Sequence, residues 1–298
     1  MMFLRRVRRL LRREDLRRNP FKGIWRRAVW RLRWKLSSKP WLIRAQGAFP
    51  LFAPQSGVAA LIYFQGASEP GTANFIKQFL KPGMVFVDVG AHLGEYTILA
   101  ASILEASGYV HAFEARPDTF EILVRNIELN KAQSIAARPY AVWCEEGFCE
   151  FARTADPSVS ALRPGGNDAE DRSLIRVPTV TLDRYFADPG VSKPNLIKID
   201  VEGAELQVLK GARSLLSSPE SPLLIVEYGR INTAAFGYRS EEVCKFLREL
   251  GYTIYQLSGN GLRRIQDAPE LDETDNTCNL VAASAALPPG LESLDYPI

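Results

Sequence analysis

Residues 85–97, Val-Phe-Val-Asp-Val-Gly-Ala-His-Leu-Gly-Glu-Tyr-Thr, constrain this chain more than any other stretch. They open as a short apolar run rich in β-branched residues, which reads as a buried strand. Gly90 and Gly94 bracket the turn that ends it. Ile98, Leu99, Ala101, Ser102 and Leu104 then recur at helical spacing. Strand, glycine turn and helix in that order form the first half of a nucleotide-binding α/β unit. Gly90 lets the chain turn sharply, and Gly94 lets the helix sit close to the strand and the ligand. The helix start leaves N–H groups beside the turn.

A glycine turn alone is weak evidence, because plain strand-to-helix connections use it too. The next strand, Tyr109 to Phe113, strengthens it by running into Glu114, 20 positions after Gly94. A carboxylate at the end of the second strand accepts hydrogen bonds from both hydroxyls of an unphosphorylated ribose. The turn is G-A-H-L-G, not the tighter dinucleotide form, and Asp88 precedes it. A carboxylate there repels a pyrophosphate but suits a cationic amino-acid portion. S-adenosylmethionine carries a ribose, an ammonium and a sulfonium and no phosphate, so the charge pattern favours a methyl donor over a dinucleotide.

Several motifs occur together in order: residues 87–94 (Val-Asp-Val-Gly-Ala-His-Leu-Gly), 112–117 (Ala-Phe-Glu-Ala-Arg-Pro), Asn126 with Asn130, 181–183 (Thr-Leu-Asp) and 197–205 (Ile-Lys-Ile-Asp-Val-Glu-Gly-Ala-Glu). Leu-Lys-Gly-Ala (209–212) and Leu-Ile-Val-Glu (224–227) follow. On these motifs the chain resembles the FkbM family of S-adenosylmethionine-dependent methyltransferases, over about residues 60 to 284. The strands alternating with helices along the chain read as a single doubly wound Rossmann-type α/β domain of about seven strands, mostly parallel, with the last antiparallel. The resemblance implies S-adenosyl-L-methionine as donor and a hydroxyl on a sugar, glycolipid or secondary metabolite as acceptor. His92 stands where the family usually has Asn, and Ala115 where it usually has Pro.

The donor-binding expectation comprises Asp88, Gly90, Ala91, His92, Gly94, Glu114 and Ala115. Ala141 and Val142 join it, at the end of a third strand read over 135–143, as flanks for the adenine ring. Ligands of open parallel sheets sit beyond the carboxyl ends of the strands. Asp88, Asp200 with Glu202, and Glu227 are therefore expected to converge. Lys198, Asp200 and Glu202 alternate and would share one face while their strand stays regular. A buried lysine and aspartate need pairing or a function. Methyl transfer to an alcohol needs in-line alignment and benefits from a base. Asp200 is the first choice for that base, Glu202 the second, with Lys198 tuning Asp200 or acting itself. His92 ranks below them. No spacing demands a metal, and none is included.

Charge is divided unevenly. Residues 1–35 hold 14 Lys and Arg against Glu14 and Asp15, while the remainder holds 23 basic and 32 acidic residues. An acidic body argues against a nucleic acid lying across it, since phosphate binding needs positive charge along the path. The division expected is a basic amphipathic segment over 1–40, the methyltransferase domain over 41–284 and a tail over 285–298. Within 1–36, Leu4, Val7, Leu10 and Leu11 mark one periodic stretch, and Trp25, Val29, Leu32 and Leu36 another, with Trp30 and Trp34 on its flank. An interfacial helix pair on an anionic membrane is the preferred reading, with Lys/Arg on lipid phosphates and Trp/Leu among the headgroups. A partner-binding arm, or docking on the protein's own acidic body, competes with it. No run long enough to span a bilayer occurs, nor does a secretory signal. Four scattered cysteines fit a reducing cytoplasm. The rivals to a small-molecule methyltransferase are a nucleic-acid methyltransferase using the basic arm and a non-catalytic module that keeps the fold. Oligomerisation is left open.

Of the remaining elements, Leu61 to Phe64 reads as a strand, Thr72 to Leu80 as a helix and Pro117 to Asn130 as another. Phe148 to Phe151 reads as a strand returning beside the third. Residues 153–176 read as a long loop, a candidate substrate lid.

Overall fold

The structure is a computed structural model, and it describes residues 16, 19–152, 174–229, 233–258, 261–269, 271 and 277–291. The Leu4–Leu11 stretch and most of the candidate lid, 153–173, lie outside the described residues. The chain packs as two compact units, one up to Pro70 and one from Gly71.

The first unit holds α1 (Pro20–Leu36), a hairpin of β1 (Trp41–Ala45) and β2 (Phe49–Ala53), and α2 (Gly57–Gln65). Asn19 caps α1 through a hydrogen bond accepted from the Lys22 amide. The Arg33 guanidinium donates to the carbonyls of Ser37 and Lys39 just beyond its end. The hairpin turns at Gln46 and Gly47, both left-handed, as a twisted two-strand connection requires. Residues 61–64 are helical, not a strand. An apolar run this short fits either state, and the caps decide: Ser56 accepts from the Ala59 amide, and Gly66 closes the helix in the left-handed region. Trp30 is buried among Trp34, Trp41, Tyr63 and Phe64. Arg26 lies over Tyr63, Arg27 over Phe64 and Arg33 over Trp41. Trp30 and Trp34, on the flank of the periodic stripe, therefore serve internal packing.

The unit boundary falls after the first residue of α3 (Pro70–Phe79), and the second unit continues with β3 (Val85–Val89), α4 (Glu95–Leu104), β4 (Tyr109–Phe113), α5 (Pro117–Leu129) and β5 (Ile135–Arg138). Next come β6 (Ala141–Val142), β7 (Gly147–Ala152), β8 (Leu174–Val180), α6 (Leu182–Tyr185), β9 (Leu196–Ile199), α7 (Glu205–Lys210) and α8 (Arg213–Leu216). The described chain ends with β10 (Leu223–Gly229), α9 (Glu241–Glu249), β11 (Thr253–Ser258), β12 (Gly261–Ile265) and β13 (Thr277–Ala283).

One eight-stranded sheet runs β12-β11-β13-β10-β9-β3-β4-β5. The five strands from β10 to β5 are mutually parallel, and β13 is antiparallel to both its neighbours. The chain winds one way from β3 through β4 to β5, and the other way from β9 to β10. The strand order thus reverses between β3 and β9, where a doubly wound sheet opens its crevice. All five residues of β3 are buried, which is why its sequence is nearly continuous in apolar residues.

Two strand readings need correction. The third strand does not run through 135–143. Pro139 offers no N–H for the ladder, so β5 stops at Arg138, and Ala141 and Val142 form β6 in a separate three-stranded sheet, order β6-β8-β7. The strand after Gly147 does not return beside its predecessor either. It pairs with β8, which lies between it and β6.

Candidate active site

At the carboxyl end of β3 the backbone folds over β4. The amides of Gly90 and Ala91 both donate to the Phe113 carbonyl, at 3.0 and 2.9 Å. His92 follows with φ +49°. Asn and His are among the few residue types that enter this region with any frequency, which accounts for a histidine at this position. Asn126, fully buried on α5, donates to the Leu93 carbonyl at 2.8 Å and fixes the far side of the turn. Asn130 caps α5, as its place in the sequence implies.

The two glycines have different duties. Gly90, at φ +84°, faces the Asp200 carbonyl so closely that a Cβ would collide with it. At Gly94 a Cβ would stand 2.7 Å from Leu123 Cδ1, so this glycine lets α5 approach α4. Its close contact is therefore with a neighbouring helix, not with the strand.

Glu114 is turned into the turn. Oε2 accepts the His92 amide and Oε1 the Arg116 amide, both at 2.9 Å. Burial pushes its carboxyl up to about 7 despite those two hydrogen bonds. A carboxylate has about four acceptor positions, so two remain for ribose hydroxyls. Ala115 packs half-buried on the hydrophobic core. Ala141 and Val142 are also buried in that core, offered from β6 and not from the tip of β5.

Asp88 is fully buried, and burial raises its pKa while Lys198 pulls it down. Its Oδ2 accepts from the Thr97 hydroxyl at 2.7 Å, and its Oδ1 has no hydrogen-bond partner among the described residues. A buried carboxylate oxygen left this way is costly unless a ligand group meets it. The orphaned oxygen and the spare lone pairs of Glu114 fit a phosphate-free donor with hydroxyl and ammonium groups.

Asp88 and Lys198 are register partners of parallel β3 and β9, so their side chains share one sheet face. Lys198, 1% exposed, points its Nζ to Asp200 Oδ2 at 2.7 Å and lies 4.7 Å from the centre of the Tyr96 ring. The ion pair considered as the structural role of these residues is thus present, and it aims Asp200, whose side chain is 28% exposed, beyond the strand end. The alternation expected for residues 198–202 stops early. β9 ends at Ile199, and Glu202 adopts φ +57° in a turn before Gly203. Glu202 is half-buried in that turn and does not continue the face of Lys198.

Glu205 holds the turn, a role that its place at the start of α7 does not announce. Its Oε1 accepts from the amides of Val201 and Gly203, and the Tyr238 hydroxyl donates to the Gly203 carbonyl at 2.6 Å. Burial raises Glu205 to about 7. Thr97, Tyr96 and Tyr238 were also missed. Thr97 is the third residue of the helix after the turn, a place from which it can reach Asp88. Tyr238 carries no local signal, because its partners are over 30 residues away. Among the described residues, no group of three or more His, Cys, Asp and Glu side chains is arranged to hold a metal ion.

Residues 88–254 match the model of the methyltransferase FkbM domain. The hexuronic acid methyltransferase AglP of Haloferax volcanii is 30% identical over 203 residues, covering 64% of this chain and 81% of that protein. The 31-O-demethyl-FK506 methyltransferase FkbM of Streptomyces tacrolimicus is 30% identical over 205 residues, covering 59% and 75%. With the glycine turn, Glu114 and the Lys198–Asp200 pair all falling inside the matched region, the chain belongs to the FkbM family of S-adenosylmethionine-dependent methyltransferases.

Proposed function

We propose that this enzyme methylates a hydroxyl oxygen on a sugar, a glycolipid or a secondary metabolite, and that its basic N-terminal segment makes peripheral contact with an anionic membrane on the cytoplasmic side. The observation that carries the acceptor chemistry is the Lys198–Asp200 pair beside the glycine turn. The relatives named above act on a hexuronic acid and on an O-demethylated metabolite, which supports an oxygen acceptor.

When bound, the donor supplies an activated methyl group on a positively charged sulfur. The chain's own residues do the rest. Glu114, held in place by the His92 and Arg116 amides, orients the nucleoside, and Asp88 takes the cationic portion. Asp200 receives the hydroxyl proton on Oδ1 while Lys198 keeps Oδ2 fixed, so the carboxylate presents one free oxygen in a set direction.

The test is methyl transfer to a panel of uronic acid glycosides, glycolipids and RNA, followed by mass spectrometry. Transfer to a hydroxyl of the first two classes is expected, and Asp200→Asn should slow turnover by ~10²-fold or more without weakening donor binding. Transfer confined to RNA, or full turnover by Asp200→Asn, refutes the proposal.

A further inference from the structure

Nine large apolar side chains are exposed among the described residues, and five of them fall on α1: Phe21, Ile24, Trp25, Leu32 and Leu36. With exposed Ala28 they follow one stripe at helical spacing. Phe21 is 86% and Trp25 69% exposed. The opposite side of the helix is already committed, through Gly23, Trp30 and Trp34 and through Arg26, Arg27 and Arg33 over aromatic rings. The helix therefore cannot roll to hide its outer stripe. Lys22, Arg31 and Lys35 border that stripe and are exposed.

What covers such a face is decided by charge. From Leu16 to Ser68 there are ten Lys and Arg and no Asp or Glu. Two copies meeting stripe to stripe would bring these cations together with no carboxylate from either helix to offset them. A bilayer with anionic headgroups meets both demands, apolar depth beneath the stripe and phosphate at its borders. We infer that α1 lies flat on an anionic membrane surface, inserting Phe21, Ile24, Trp25, Leu32 and Leu36 and placing Lys22, Arg31 and Lys35 on lipid phosphates. This rests on the membrane contact proposed above and assigns it to one face. It also divides the tryptophans: Trp25 enters the lipid, whereas Trp30 and Trp34 hold the helix to its own unit. Because α1 is already docked and capped, binding pays no cost of folding it.

The experiment is co-sedimentation of the full chain with vesicles of phosphatidylcholine alone and of phosphatidylcholine with roughly 30% phosphatidylglycerol, enough anionic lipid to carry a clear surface charge. The wild type should partition onto the anionic vesicles and keep part of that binding in high salt. Phe21→Ser/Trp25→Ser/Leu32→Ser/Leu36→Ser should lose roughly 100-fold of its partition. Lys22→Glu/Arg31→Glu/Lys35→Glu should lose the preference for anionic lipid. All seven positions are exposed, and circular dichroism with donor-binding calorimetry verifies that both variants fold. Wild-type partition by the serine variant refutes the face while leaving a membrane contact made elsewhere. Failure of the wild type to bind either vesicle refutes both the face and the membrane contact. A dimer in sedimentation that the serine variant abolishes assigns the stripe to a second copy and refutes the inference.

Discussion

Glu114 makes donor binding depend on pH in a way that can be calculated. Its carboxyl is raised to about 7, chiefly by burial, and only the ionised form can accept two ribose hydroxyls on top of the His92 and Arg116 amides, since a proton on either oxygen takes up an acceptor position. The free enzyme therefore has to shed a proton before it grips the nucleoside. With a pKa near 7, about 10% of the protein is competent at pH 6 and about 90% at pH 8. The apparent Kd should then fall about tenfold across that range, close to 1.4 kcal/mol. The probe of choice is 5′-methylthioadenosine, which keeps the ribose and adenine but has no group that titrates in this window. Calorimetry at pH 6, 7 and 8, in buffers of different ionisation enthalpy, measures the affinity and the proton released together. Glu114→Gln should bind more weakly at pH 8 and show no pH slope. An affinity that is flat in the wild type, or a slope that survives in Glu114→Gln, would refute the assignment of Glu114 to the ribose.

Lys198 lies between two carboxylates in a buried strand, so Lys198→Met should destabilise the protein by about 3 kcal/mol in urea unfolding, because Asp88 and Asp200 lose their counter-charge. An unchanged midpoint would refute that pairing. Glu205 is raised to about 7 when folded, so its contribution to stability is full below the ordinary carboxylate value of 4.5 and is lost as pH rises through about 7. Glu205→Gln should flatten the fall of unfolding free energy between pH 5 and 8 by on the order of 2 kcal/mol, and an unaltered slope would sink the claim.

How much of this was legible in the sequence depends on range. The 85–97 stretch changes hydrophobic period at a pair of glycines, so its strand, turn and helix could be read locally. Glu114 was legible because its distance from the turn is fixed by one helix and one strand. The helix over 57–65 carries its caps, Ser56 and Gly66, in the sequence, but the apolar run at 61–64 fits strand and helix alike, so only the caps distinguish the two. Pro139 was the visible cause of the break before Ala141. No local pattern announces that β8, which begins more than 20 residues after β7 ends, inserts between β6 and β7. Likewise the left-handed turn at Glu202 depends on Glu205 and Tyr238, and only the first of these is near in sequence. On α1 both sides are apolar, so periodicity located a stripe but could not say which side faces inward.

The seat of Gly90 against the backbone of Asp200 has a practical consequence for redesign. The Asp200 amide is also tied to the Val89 carbonyl, so the ends of β3 and β9 move as one piece. A graft that swaps either end alone will disturb Gly90 and Asp200 together, and with them the donor grip and proton removal proposed for the two strand ends. Attempts to retarget this enzyme to a new alcohol should keep 88–91 and 198–201 as a single cassette and vary only what surrounds it.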